Sequence, residues 1–110
     1  MFIAMNRFNV KKEATADFET VWLNREVHIG SMPGFIEFNL LRGPEREDHV
    51  LYSSHVTWAS KADFEAWTQS EAFRLAHRNA GKGPSLMLGH PIFEGFEVLS
   101  SMTLAADKAA

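Results

Sequence analysis

Phe64-Glu65-Ala66-Trp67-Thr68-Gln69-Ser70-Glu71-Ala72-Phe73-Arg74-Leu75-Ala76-His77-Arg78 is helical sequence with a fault in its middle. Ser60 is an N-cap residue with Asp63 three positions on, so a helix starts there and carries Phe64 and Trp67 on one face. Thr68 and Glu71 repeat the signal as a capping box inside the run. On one straight helix Trp67 and His77 would stand about 15 Å apart along the axis and point roughly 80° apart. A break between Thr68 and Ser70 is therefore expected. The second piece then turns Phe73, Ala76, His77 and Ala80 inward, which sets a metal-competent imidazole among apolar neighbours.

Working outward, the segments on either side of this broken helix read as strands. Phe2 to Val10 alternates, with Phe2, Ala4, Asn6, Phe8 and Val10 on one face. Gly34 to Arg42 is a second strand with Ile36, Phe38 and Leu40 together, and the segment 43–48 is a turn. His49 to Trp58 is a third strand, pairing antiparallel with the second and turning Val50, Tyr52, Val56 and Trp58 inward. Ile92 to Ser100 is the fourth, with Ile92, Phe96 and Val98 together. A first helix begins near Ala14 or Thr15, with Asp17 and Glu19 in its first turn, and ends near Gly30 ahead of Pro33. Its inner stripe is Phe18, Val21, Trp22, Arg25 and Ile29.

The order strand, helix, strand, strand, helix, strand is the α+β, ferredoxin-like βαββαβ plan, in which helices cover one face of a four-stranded antiparallel sheet. The other face carries Ile3, Met5, Phe35, Leu41, Leu51, Phe93 and Leu99, mixed with Glu37, Asn39 and His55. So semi-apolar a face is expected to close on a second copy, giving a homodimer whose two sheets form a dimeric α/β barrel. Residues 1–103 read as one domain and 104–110 as a frayed, Ala-rich, disordered tail.

Composition excludes several classes of function. The chain has 110 residues, a net charge of -3 and no basic face, so nucleic acid is not an expected partner. It has no cysteine, hence no disulfide, thiolate nucleophile or cysteine-ligated metal. The Met1-Phe2-Ile3-Ala4-Met5 start is not leader-like and no apolar run is long enough to span a membrane, so a cytoplasmic protein without a membrane partner is expected. His49 and His55 share a strand face about 20 Å apart, too far for one metal. His28 and His90 fall near element ends, where exposed or capping roles are the default. Gly81-Lys82-Gly83-Pro84 lacks the strand and helix of a phosphate loop, and is either a lid or a connector.

A pocket between helices and sheet remains, holding Asn6, Trp22, Arg25, Trp67 and His77. Each residue has two readings. Asn6 is either tied to nearby backbone or held for something bound. Arg25 either extends its head to solvent or pairs with a carboxylate of a ligand. Trp67 and His77 are core packing and an ordinary histidine, or a wall and a ligand.

The residues suggest a family. Met5-Asn6-Arg7-Phe8, the Arg25 segment leading to Pro33-Gly34-Phe35, Val56-Thr57-Trp58 before Ser60-Lys61-Ala62-Asp63-Phe64, and Phe64-Glu65-Ala66-Trp67 followed ten residues later by Ala76-His77 are the carriers. Over Phe2 to Leu99 the chain resembles the heme-degrading, IsdG-type branch of the antibiotic biosynthesis monooxygenase superfamily. Pro33-Gly34-Phe35 and the Trp58 region support the fold, while Asn6 with Trp67 and His77 matches the branch itself. The resemblance implies that His77 is the axial ligand of heme iron, that Asn6 hydrogen-bonds the iron-bound oxygen species, and that Trp67 bends the porphyrin. It implies that Arg25 lies near the propionates and that Trp22, Phe64 and Phe73 contact heme. Heme would be both substrate and cofactor for a heme oxygenase that uses O2, opens the ring to a linear tetrapyrrole and releases iron for iron acquisition. An external reductant, such as a reductase or ascorbate, would supply electrons, since no flavin or nicotinamide motif is present. Two further readings are a cofactor-free quinol or polyketide monooxygenase of the same superfamily and a non-enzymatic heme-binding protein.

Overall fold

Phe2, Ala4, Phe8 and Val10 are buried, while the residues between them are half-buried or exposed, as the alternation predicts. The computed structural model describes residues 1–24, 28–77 and 85–102. These residues form β1 (Phe2–Lys11), α1 (Thr15–Asn24), β2 (Phe35–Glu45), β3 (His49–Trp58), α2 (Lys61–Thr68), α3 (Glu71–His77) and β4 (Ile92–Glu97). The strands lie in the order β2-β3-β1-β4, each pair antiparallel, and the chain has the expected ferredoxin-like fold. Among the described residues no helix is long and apolar enough to cross a membrane.

The helices cover one sheet face, and aromatic contacts lock them there. Phe18 of α1 packs on Phe8 and Tyr52, with ring centroids 5.5 and 4.8 Å away. Phe64 of α2 packs on Phe2 at 5.3 Å, and Trp67 on Trp58 at 6.2 Å. Pairs of this kind contribute about 0.5–1.5 kcal/mol beyond the area they bury. Burial of Phe2, Ala4, Ile29, Val56, Trp58 and Trp67 makes one core cluster. Phe8, Val10, Ala14, Phe18, Val50 and Tyr52 make a second.

The break in the helical run lies where expected, but a different residue makes it. Ser60 caps α2 by accepting from the Asp63 amide at 3.1 Å. At the junction Ser70, not Thr68, is the cap: its hydroxyl donates to the Trp67 carbonyl at 2.7 Å and accepts from the Phe73 amide at 3.1 Å. Thr68 instead turns its hydroxyl back onto the Glu65 carbonyl. One side chain thus adds a bond to the Trp67 carbonyl, which already accepts from the Ser70 amide at 3.0 Å, and satisfies an orphan amide of α3.

Other expectations are corrected by local geometry. A bulge in β2 between Phe35 and Glu37 inserts Ile36 as the extra residue, so Phe35 pairs with Trp58 and turns inward, where its ring meets Trp58 edge-on at 5.9 Å. Ile36, expected inside, is 50% exposed. In β4 the register sets Phe93 opposite Asn6, on the helix-covered face, and sends Ile92 and Phe96 to the open face. Val21 is exposed rather than part of the inner stripe of α1. Described α1 ends at Asn24, and Ile29–Ser31 is a separate 3-10 turn. β2 runs on to Glu45 into the expected turn, and β4 stops at Glu97. Arg25, Ala80, the segment 81–84 and the tail 104–110 lie outside the described residues.

Gly34 fixes the entry to β2. Its φ is +84°, and a Cβ there would stand 2.2 Å from Oδ2 of Asp63. Gly34→Ala is expected to lower unfolding free energy by at least about 1–3 kcal/mol, and Ser70→Ala by about 1 kcal/mol. Urea denaturation of the purified variants measures both.

Candidate functional site

The two core clusters are separate, and a polar pair lies between them on the sheet. Asn6 on β1 pairs with Ser54 on β3 and with Phe93 on β4. Above this row lies a cavity of about 330 Å³, within the range of small-molecule sites. Sheet residues Ala4, Asn6, Ser54, Val56, Trp58 and Phe93 form its floor. Trp22, His28, Ile29 and Phe38 line it from the α1 side of the sheet; Phe64, Trp67, Thr68, Phe73, Ala76 and His77 line it from α2 and α3.

Six of the seven residues singled out from the sequence line this one cavity. Asn6 is half-buried and its amide makes no side-chain hydrogen bond among the described residues, so the donor faces the cavity uncommitted. Trp67 is buried between Trp58 and Phe73, the latter meeting it edge-on at 5.4 Å. Trp22 stacks on Phe38 at 5.9 Å and touches Phe8 at 5.5 Å. Phe64 stacks on Phe93 at 5.4 Å. The seventh, Arg25, lies outside the described residues.

His77 is held from both sides of its ring. It lies over Phe73 with centroids 4.1 Å apart, and its Nδ1 is 2.8 Å from the Phe73 carbonyl oxygen. A carbonyl only accepts, so Nδ1 carries the proton and donates; in the neutral ring Nε2 keeps its lone pair. The residue is exposed at the mouth of the cavity, not enclosed, with Phe73 as its apolar neighbour. An imidazole fixed in this tautomer by a backbone carbonyl is suited to ligate a metal through Nε2.

Sequence reasoning missed Phe93, Ser54 and His28. Ser54 shares the parity of Tyr52 and Val56 and was legible as an inward residue. Phe93 was not, because apolar residues occupy both faces of β4. His28 falls near an element end, where the sequence marks nothing, yet it lines the cavity and is one of only two titratable groups among its described lining.

Comparison with known proteins shows the family. The family model for antibiotic biosynthesis monooxygenase matches residues 1–79. A heme-degrading monooxygenase from Bacillus thuringiensis (strain Al Hakam) is 32% identical over 69 residues, 63% of this chain and 64% of that one. Another, from Shouchella clausii (strain KSM-K16), is 44% identical over 66 residues, 58% of this chain and 60% of that one. The chain therefore spans somewhat less than two thirds of the curated relatives it matches. Among solved structures, the heme degrader MhuD from Mycobacterium tuberculosis, with two hemes bound in its active site, superposes with a TM-score of 0.72 at 24% identity over 94% of this chain and 100% of that one. At that identity the likeness is one of fold. SnoaB, a cofactor-independent oxygenase from Streptomyces nogalater, superposes with a TM-score of 0.65 at 25% identity, covering 92% and 95%.

The tautomer has a direct readout. In a long-range proton–nitrogen NMR spectrum of the ligand-free protein with neutral imidazoles, the His77 ring is expected to carry its proton on Nδ1. Assignment by comparison with His77→Gln identifies the signal, and a proton found on Nε2 would contradict the anchored geometry.

Proposed function

The chain belongs to the antibiotic biosynthesis monooxygenase family, and we propose that it is a heme-degrading monooxygenase, with heme as both substrate and oxygen-activating cofactor. The observation that carries the reading is His77, its Nδ1 tied to the Phe73 carbonyl and its ring at the mouth of the cavity that Asn6 and Trp67 also line. Among the described residues no three metal-ligating side chains gather together. An iron that arrives inside a porphyrin, with its other ligands already in place, suits a site where one imidazole stands at an aromatic cavity. The names of the curated relatives support the same substrate.

Bound heme would supply the iron at which dioxygen is activated, with electrons from an external reductant. The protein's own groups do the rest. His77 would hold the iron through Nε2, while the Phe73 carbonyl keeps its other nitrogen protonated. Asn6 donates an amide N–H into the cavity, and no neighbouring side chain among the described residues competes for it. Trp67, buried against Trp58, presents an indole wall that would press on a flat ligand and favour its bending. Trp22, Phe64, Phe73 and Phe93 exclude water. Arg25 is proposed as a partner for the ligand's carboxylates, and the product as an open-chain tetrapyrrole with free iron.

The open face of the sheet, with Ile36, Leu41, Ile92 and Phe96 each more than 40% exposed, is proposed to close on a second copy. Phe96→Glu should then convert a dimer to a monomer by size-exclusion chromatography with light scattering. A monomeric parent protein would end that proposal.

A second reading has one observation behind it: the likeness to SnoaB, a cofactor-independent oxygenase, is as strong in identity as the likeness to MhuD. Anaerobic hemin titration, followed by air, ascorbate and catalase, separates the readings. Heme degradation predicts a Soret band that decays with release of iron and an open-chain pigment. A stable band indicates a heme carrier, and no band favours a cofactor-free oxygenase. His77→Ala should shift the band and weaken binding by at least the roughly 10–100-fold that loss of an outer-shell partner costs. Asn6→Ala should keep the band and lower turnover by about 10²–10³-fold, the usual effect of deleting one preorganised donor.

A further inference from the structure

The proposed heme chemistry uses Trp22 only as a wall, and does not use Tyr52 or Glu19. These three are joined. Phe18 and Trp22 stand four apart on one face of α1, and their centroids are 6.1 Å apart. Phe18 in turn lies 4.8 Å from Tyr52, and Phe8 touches both Phe18 and Trp22 at 5.5 Å. Trp22 lines the large cavity, while Tyr52 lines a second cavity of about 220 Å³ with Glu19, Leu23, Leu40 and Arg42. A continuous aromatic medium thus connects the two cavities.

The far end of this medium is built for proton transfer. Tyr52 is 1% exposed, and its hydroxyl donates to Oε2 of Glu19. Arg42, paired opposite Tyr52 in the sheet, donates to the same oxygen at 3.1 Å. Burial first, and then the Glu19 carboxylate, raise the phenol above its ordinary pKa, so at rest the proton stays on Tyr52. Removing an electron makes a phenol strongly acidic, and the waiting carboxylate can then take that proton. The other indole branch differs. Trp58 lies beside Trp67, but its buried Nε1 has no partner among the described residues, so charge arriving there has nowhere to shed a proton.

We propose that Trp22, Phe18 and Tyr52 form a one-electron relay between the two cavities, with Glu19 as the proton acceptor. An oxidant in the large cavity takes one electron from the Trp22 indole. Tyr52 refills it through the contact across Phe18, and its O–H bond breaks as the proton passes to Glu19, leaving a neutral phenoxyl and a carboxylic acid. A small one-electron reductant of the ascorbate class entering the second cavity restores Tyr52, which recovers its proton from Glu19. In turnover this rests on the proposed heme reading, which puts an oxidant made from dioxygen or peroxide in the large cavity. The relay either admits electrons to that site or drains oxidising charge from it.

The test needs no heme, so it fails separately from that reading. Pulse radiolysis of the ligand-free protein with azidyl radicals oxidises accessible indoles. Trp22 is half-buried, whereas Trp58 and Trp67 are 0% and 7% exposed, so Trp22 is the indole within reach. Tyr52 is the sole tyrosine in the chain and gives any phenoxyl absorption a single source. The expected result is an indolyl band that decays as a phenoxyl band grows, at a rate independent of protein concentration and slower in heavy water. The phenoxyl is lost in Trp22→Phe and in Tyr52→Phe, and its growth slows in Glu19→Gln. No phenoxyl in the parent protein, an undiminished yield in Trp22→Phe, or no heavy-water effect would overturn the relay. The heavy-water comparison uses the unaltered chain and holds even if Glu19→Gln does not fold.

Discussion

A polar pair, Asn6 and Ser54, interrupts the apolar centre of the helix-covered sheet face, and the rest of the site depends on it. Leu40, Ser54, Asn6 and Phe93 lie abreast across β2, β3, β1 and β4. On one side of the row Phe2, Ala4, Val56 and Trp58 pack into the first core cluster; on the other Phe8, Val10, Val50 and Tyr52 pack into the second. Apolar side chains at positions 6 and 54 would let the clusters merge and draw the helices down. An amide and a hydroxyl resist that, because sealing them away without partners costs about 1–3 kcal/mol per group. The division of the core is what keeps a cavity open above Asn6.

The second constraint is the interruption of the helical run. Ser70 terminates α2 and starts α3 with one hydroxyl, and the turn brings His77 to the same cavity as Trp67. Phe73 then joins the two. Its ring edge meets Trp67, its face lies against His77, and its carbonyl accepts from His77 Nδ1. A shift of α3 cannot change the imidazole without also changing the indole wall. The imidazole and the indole wall are thereby positioned together by one residue, Phe73, through its ring and its backbone carbonyl.

Much of this was legible where local rules act alone. The alternation along Phe2 to Val10 placed Asn6 on the buried face, because each neighbour of like parity is apolar. The cap at Ser60 and the crowding of cap residues between Thr68 and Ser70 showed the helix fault, though not which hydroxyl would serve both ends. Parity failed wherever long-range pairing decides it. The β2 bulge depends on how Phe35 meets Trp58 and on Gly34 fitting against Asp63, neither of which is local. In β4, Ile92, Phe93 and Phe96 are all apolar, and only the pairing of Phe93 with Asn6 decides which ring enters the cavity. The tie from His77 to the Phe73 carbonyl is an i to i−4 contact at a helix end, yet helical sequence alone does not select the rotamer that makes it.

The bulge links the two faces of the sheet. Inserting Ile36 turns Phe35 onto Trp58, which closes the first core cluster beside the cavity. The same insertion turns Ile36 out, beside a face that already presents Leu41, Ile92 and Phe96. One backbone irregularity therefore improves packing under the helices and adds apolar area on the opposite side. That side carries Met5, which flanks Asn6 in β1 and pairs with His55 and Glu94. A second sheet laid on it would restrain β1 directly beneath the cavity floor, so the proposed dimer contact and the position of the Asn6 donor are mechanically the same problem. A strand held from both faces loses less order when a ligand binds, which is a physical reason to carry a cavity-facing amide at the centre of a sheet and not on a loop.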